Sequence, residues 1–157
     1  AEFGQVEPGV SRTGFDRIEF LFAPNPGEPF KPLKAIASSG EMARVMLALK
    51  TVLASQDSIP ILVFDEVDSN IGGETAGVVG KKMKRIGARR QVLCITHLAP
   101  VAAAGHRHYL VSKEIIEGRT LTRVAQLDDA SRVEELTRML GGGGAAARQH
   151  AAELLNA

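Results

Sequence analysis

Residues 61–70 read Ile-Leu-Val-Phe-Asp-Glu-Val-Asp-Ser-Asn, four apolar residues that end in two adjacent carboxylates, Asp65 and Glu66. Ligand sites in open α/β sheets gather at the carboxyl ends of strands. A carboxylate there can hold Mg²⁺ through one oxygen or through water. Its neighbour points elsewhere along the pleat and can address a different atom, such as an attacking water. The same letters also fit an ordinary acidic turn after a strand. Ser38-Ser39-Gly40-Glu41 stands at the start of a helical pattern. Small residues at a helix N-terminus leave backbone N–H groups open to an anion, and a Ser hydroxyl adds a donor. A plain helix cap would use the same residues. Thr96-His97 closes a second apolar run, where a histidine can face the same site or simply occupy a turn.

These groups need elements to position them. Residues 15–22 alternate, with Ile18, Phe20 and Phe22 on one side, as in a half-buried strand. Residues 23–32 hold four prolines and one glycine, and are expected to form a loop. From Gly40 the period becomes helical, through Met42, Val45, Met46, Leu49, Val52 and Leu53. Met42 and Met46 are expected on the inner face, and the helix should end near Ser55. Residues 61–64 and 91–96 suit strands buried on both faces. Between them a helix over 74–86 has Ala76, Val79, Met83 and Ile86 as its inner stripe. Residues 107–112 and 119–126 read as strands joined by a turn at Glu117-Gly118. A helix marked by Val133, Leu136 and Leu140 stops at four glycines, and a last helix follows over 146–155. Strands alternating with helices predict an α/β fold with a partly parallel sheet. Residues 1–12 read as a frayed entry, 13–140 as the sheet and its helices, and 141–157 as a glycine corner with a terminal helix. No internal repeat divides the chain, which is expected to be one lobe.

The chain has 157 residues, 45% of them hydrophobic and 24% charged, so it can hold a core and is neither a disordered tail nor a coiled coil. A net charge of +1 argues against a generally polycationic nucleic-acid sleeve, though not against a local basic patch. A single cysteine, Cys94, excludes an internal disulfide framework, fits a reducing compartment, and reads as an inert core thiol. No apolar run approaches the roughly 18 residues needed to cross a bilayer, and no secretory signal opens the chain, so a soluble cytoplasmic protein without a membrane partner is expected.

The three motifs occur in an order and at spacings that suit neighbouring loops of one sheet, and together they resemble the C-terminal half of an ATP-binding-cassette ATPase head. Residues 37–44 (Ala-Ser-Ser-Gly-Glu-Met-Ala-Arg), 46–50, 64–68, Ile71 and 91–98 are similar to the RecN family, bacterial DNA double-strand-break repair ATPases of the SMC-like group. The Pro-Asn-Pro-Gly loop at 24–27 and the Arg-Val-Glu-Glu-Leu stretch from Arg132 are similar too. The resemblance implies the C-terminal lobe of a P-loop ATPase head. Ser38, Ser39, Gly40 and Glu41 would be the signature motif, which reaches the γ-phosphate of ATP held by a partner head. Asp65 would be the Walker B acid that supports Mg²⁺, and Glu66 the catalytic base. Asp68 would lie in the loop that crosses the head–head interface, and His97 would be the switch histidine. ATP, Mg²⁺, an N-terminal lobe, a second head and DNA follow as implied cofactors and partners, with residence at the nucleoid. The family motif reads Ser-Gly-Gly-Glu, whereas Ser39 stands here for the first glycine.

A phosphate-cradling Gly-x-x-x-x-Gly-Lys-Ser/Thr loop is absent. Its nearest imitation, at 77–82, has the wrong spacing and falls within the expected helix. The chain is therefore expected to be part of a longer polypeptide whose N-terminal part carries that loop, and to turn over no ATP alone. Lys81, Lys82, Lys84, Arg85, Arg89 and Arg90 form either a solvated helix face or a contact for DNA phosphates. His106 and His108 alternate at a strand start, with no third metal ligand nearby. Two other readings stay open: a head lobe of another SMC-like or transporter cassette, and a non-catalytic interaction module with a decayed site.

Overall fold

A computed structural model describes residues 14–15, 18–23, 25–35, 38–53 and 58–156. The expected entry segment 1–12 lies outside them, as do Pro24, Ala37 and the expected helix end near Ser55. The chain forms two compact units, residues 1–38 and 39–157.

In the first unit, β1 (Leu21–Phe22) pairs antiparallel with β2 (Lys31–Pro32). The Leu33 N–H donates to the Phe20 carbonyl at 2.8 Å, and Lys34 lies 3.1 Å from Glu19. The strand expected over 15–22 is thus confined, among the described residues, to its last two positions. Part of the expected proline loop instead pairs as a strand. Proline is tolerated there because a two-residue edge strand needs no donor from it.

The second unit is built on two parallel strands, β3 (Ile61–Phe64) and β4 (Gln91–Cys94), in register Ile61↔Gln91 to Phe64↔Cys94. Helices α1 (Ser39–Val52) and α2 (Gly73–Gly87) flank them. Their core joins Leu47, Leu62, Phe64, Val67, Ala76, Val79, Met83, Ile86 and Val101. Burying a Leu or Phe contributes about 1.5–3 kcal/mol, so this cluster anchors the loop that leaves β3. The whole expected stripe of α2 is buried. On α1 the buried positions are Gly40 and Leu47, while Met46 is exposed and Met42 only half-buried. The helix is apolar around most of its girth, so its period alone did not select the face that packs.

The expectation that β3 and β4 are buried on both faces does not hold within this chain. Leu62 and Phe64 are covered, but Ile61 is 50% and Val63 64% exposed, and Leu93 and Ile95 are open with them. Among the described residues nothing covers that side of the ladder.

A five-residue helix α3 (Ala99–Ala103) follows β4. Then β5 (Tyr109–Ile116) and β6 (Arg119–Gln126) form an antiparallel hairpin in register Ile116↔Arg119. Its turn places Glu117 at φ 50° and Gly118 at φ 75°, the pair of positive φ values that a two-residue hairpin turn requires. Helix α4 (Asp129–Met139) is capped by Asp128, whose side chain accepts from the Ser131 N–H at 2.8 Å. That bond holds the Asp128 carboxyl below its ordinary range. Helix α5 (Ala145–Leu155) packs beside α4 through Leu136 and Ala151, against Ala99, Ala102 and Ala103 of α3. Gly141 to Gly144 between them all take positive φ, from 64° to 145°, which side-chain-bearing residues rarely adopt. No described helix is long and apolar enough to cross a membrane.

Between β4 and β5 runs an open groove of about 990 Å³, lined by Val92, Cys94, Leu110 and Met139 among others. Among the described residues each of the two strands pairs on one side only, β4 with β3 and β5 with β6.

Candidate functional site

The β3 and β4 strands run parallel and end level with each other, so Asp65-Glu66 and residues 95–97 emerge side by side. The Ile95 N–H donates to the Phe64 carbonyl at 3.0 Å, extending the ladder one step beyond the strands. Asp65 and Glu66 are exposed, whereas Val67 and Asp68 turn inward, 0% and 1% exposed.

The loop after β3 reverses through left-handed backbone. Glu66 has φ 56° and Asn70 φ 58°. For a residue with a Cβ this conformation costs about 1–2 kcal/mol. A turn bond from the Ser69 N–H to the Glu66 carbonyl at 3.1 Å closes the bend. The result lifts the Glu66 side chain out of the sheet.

Asp68 lies buried within its own lobe and gathers the loop after β4. Its Oδ2 accepts from the Thr96 hydroxyl at 2.5 Å, the His97 N–H at 3.1 Å and the Leu98 N–H at 3.3 Å. The His97 Nδ1 lies 3.4 Å from the same oxygen, and the His97 side chain is 70% exposed. A buried polar group must find hydrogen-bond partners in place of water, and these donors supply them to Asp68. Asp68 thereby fixes the stem of His97 while the imidazole stands open at the surface.

The start of α1 meets the other side of the loop. The Ser39 hydroxyl donates to Glu66 Oε2. Gly40 approaches so closely that a Cβ added there would sit 1.9 Å from Ser69 Oγ and 3.1 Å from the Glu66 carbonyl. Arg44, one turn on, donates from Nη1 to the Val67 carbonyl at 3.2 Å and the Ser69 carbonyl at 2.9 Å. Glu41 sits half-buried in the first turn of α1, and Ser38 directly precedes that helix at the end of the first unit. Ser39 is thus brought to Glu66, and Asp68 to His97. Arg44 and Thr96 take structural parts in the site that the sequence reading did not assign. The one available signal was that Gly40, Arg44 and Leu47 share a helix face.

Asp65 offers a single exposed carboxylate at the strand end, and no group of three metal-ligating side chains occurs among the described residues. That donor set fits Mg²⁺ of the kind held by one or two carboxylates, waters and substrate phosphates, and does not fit an all-protein cage. Cys94 lies half-buried on β4, and burial, with Asp68 and Asp65 adding to it, pushes its thiol up to about 12. It stays a protonated thiol at neutral pH, as expected of a core cysteine. Further along, Arg138 bonds Glu135 through Nε at 2.8 Å and Nη2 at 2.6 Å, and holds that carboxyl below its ordinary range. Burial pushes the imidazole of His108 down, against the opposing field of Glu135.

On α2 the basic residues Lys81, Lys82, Lys84 and Arg85 are exposed on the side opposite the buried stripe. Arg89 is exposed beyond the helix, whereas Arg90 is half-buried and donates to the Ile59 carbonyl at 3.2 Å.

No protein-family model matches the chain. DNA repair protein RecN of Xylella fastidiosa is 50% identical over 139 residues, covering 88% of this chain and 25% of that protein. RecN of Treponema pallidum is 49% identical over 146 residues, 92% of this chain and 26% of the relative. RecN of Vibrio cholerae is 46% identical over 141 residues, 90% and 26%. The chain therefore spans about a quarter of the length of the curated relatives it matches. Among solved structures, the Smc head domain with a coiled coil and joint from Pyrococcus yayanosii superposes with a TM-score of 0.57 at 22% identity, over 75% of this chain and 25% of that one. A structure from a study of ATP-driven dimerization and DNA-stimulated activation of SMC ATPases gives 0.51 at 20% identity, over 79% and 81%. These likenesses show the α/β fold of an SMC-type head lobe. Sequence matches at this level run along nine-tenths of the chain, and they fall in the C-terminal part of the RecN proteins.

Proposed function

We propose that this chain supplies one side of an ATP-hydrolysing head that works in DNA double-strand-break repair. The supporting observation is the pair of level, parallel strand ends that set Asp65-Glu66 beside His97, joined by buried Asp68. Asp65 would hold Mg²⁺, directly or through water, and the ion when bound offsets the charge of the phosphates. Glu66 takes the proton of a water as its oxygen attacks the γ-phosphorus. The bond to the bridging oxygen breaks, and ADP leaves with the electron pair. His97 donates toward the γ-phosphate, where charge is redistributed in the transition state. Ser38, Ser39, Gly40 and Glu41 act in trans on ATP held by a second head, so nucleotide binding closes a homodimer and hydrolysis reopens it.

The main phosphate grip comes from the N-terminal lobe of the same polypeptide. The groove between β4 and β5, and the open apolar side of β3–β4, are the surfaces we assign to it. The expected result is that the 157-residue chain alone shows no metal-dependent ATP turnover, and that co-expression with the remainder of the polypeptide restores it. Turnover by the chain alone, at a rate near that of the complete protein, would refute the division of labour.

We assign the DNA phosphate backbone to the exposed basic side of α2. Changing Lys81, Lys82, Lys84 and Arg85 together to Gln in the complete protein should weaken DNA binding at low salt. It should also reduce the slope of log affinity against log salt by about 0.9 for each phosphate that is no longer neutralised. An unaltered slope would make these residues an ordinary solvated face.

A further inference from the structure

The loop that carries Glu66 and Asp68 has little regular structure to hold it, and two of its residues sit in left-handed backbone. Its outer tether is Arg44. One guanidinium nitrogen donates to the carbonyls of Val67 and Ser69, the two residues that flank Asp68. The first of these carbonyls lies one residue after Glu66. Arg44 rises from the first half of a 14-residue helix, one turn past Gly40, where the helix and loop approach too closely for a Cβ. The two contacts have different parts. The glycine sets the distance between helix and loop, and the arginine sets the loop's position along the helix.

We infer that Arg44 is a positioning residue for hydrolysis: by gripping the loop on both sides of Asp68, it sets the direction of the Glu66 carboxylate and the height of the His97 stem. This rests on the role proposed for Glu66. Arg44 reaches the reacting atoms only through the backbone of 67–69. Two carbonyls taken by one planar guanidinium fix a rotation as well as a distance. An ammonium on a flexible stem would hold the distance less firmly and the rotation hardly at all. Misplacement of a catalytic group by about 1 Å costs on the order of 10²-fold in rate, so a partial loosening is visible in turnover before it is visible in binding.

The test uses the complete protein, with turnover expressed per ATP-binding site so that unfolded molecules do not count. Arg44→Ala should lower kcat about tenfold or more and leave the KM for ATP within about twofold, and Arg44→Lys should recover only part of the loss. A residue that merely stabilises the fold would lower the melting temperature and leave kcat per site alone, and that result would overturn the inference. If Arg44→Ala does not fold, Arg44→Lys decides by itself: a fall of about threefold or more supports the role, and wild-type kcat removes it. Glu66→Gln is assayed beside them. If it keeps turnover, the proposed base is wrong and the inference falls with it. If it is dead while the Arg44 variants run normally, only the inference falls.

Discussion

Glu66→Gln in the complete protein is expected to lower ATP turnover by about 10²–10⁴-fold, the usual contribution of a general base. The substitution keeps the size of the side chain and an acceptor oxygen for the Ser39 hydroxyl, so the bend at 66–69 should survive. What it removes is the carboxylate proposed to take the proton of water. Nucleotide binding needs no such group, so the variant should bind ATP and accumulate a closed dimer that fails to reopen. Size-exclusion chromatography with and without ATP, beside a single-turnover assay, reads both effects. Turnover within about tenfold of wild type would move the base to another residue.

Asp68→Ala should be the most destabilising single change in the site. Asp68 is 1% exposed and one of its oxygens serves a hydroxyl and two backbone N–H groups. Removing it takes that acceptor from all three, leaving the Leu98 N–H with Thr96 Oγ1 at 3.1 Å and the Thr96 hydroxyl with the Leu98 carbonyl at 3.4 Å. Each unsatisfied buried polar group costs about 1–3 kcal/mol, and with two of the donors keeping a second acceptor a loss of about 2–3 kcal/mol is expected. That is a large part of the ~5–15 kcal/mol that a domain has in total. Asp68→Asn keeps an acceptor oxygen and should cost less than half as much. Urea unfolding of the three forms under identical conditions measures the difference. A loss below ~0.5 kcal/mol for Asp68→Ala would mean that the loop after β4 finds other partners. The same change should uncouple His97 from the end of β3, lowering turnover in the complete protein even where the fold survives.

Much of the framework was written in local patterns. The stripe of α2 shows its period because polar residues fill the other side, and the turn at Glu117-Gly118 shows in two residues between two alternating runs. The carboxylates at 65 and 66 were legible because a strand that stops in charge is easy to see. The faces of β3 and β4 were not. Ile61, Val63, Leu93 and Ile95 are apolar yet uncovered among the described residues, and an apolar run does not tell whether its cover lies nearby in sequence. Helix α3 is too short to show a period, and the pairing of Lys31–Pro32 involves too few residues to outweigh four prolines. Asp68 shows a limit of another kind. The resemblance places its loop at an interface between heads, and the fold turns its carboxylate into its own lobe, where the donors lie about thirty residues away in sequence. Arg44 was hidden for the same reason. An arginine on a helix reads as solvated until its reach is known.

The edges of β4 and β5 that lack a partner among the described residues bear on how such a molecule comes to exist. An unpaired strand edge offers its N–H and C=O groups to any extended segment that arrives first. A ladder completed only by residues far away in sequence must wait through a slow, long-range closure. In that interval the lobe is a template for the wrong chain, and crowding by nascent copies of itself is the hazard. If the proposed N-terminal lobe completes that ladder, assembly becomes a race between intramolecular closure and aggregation, and its outcome depends on concentration as well as on sequence.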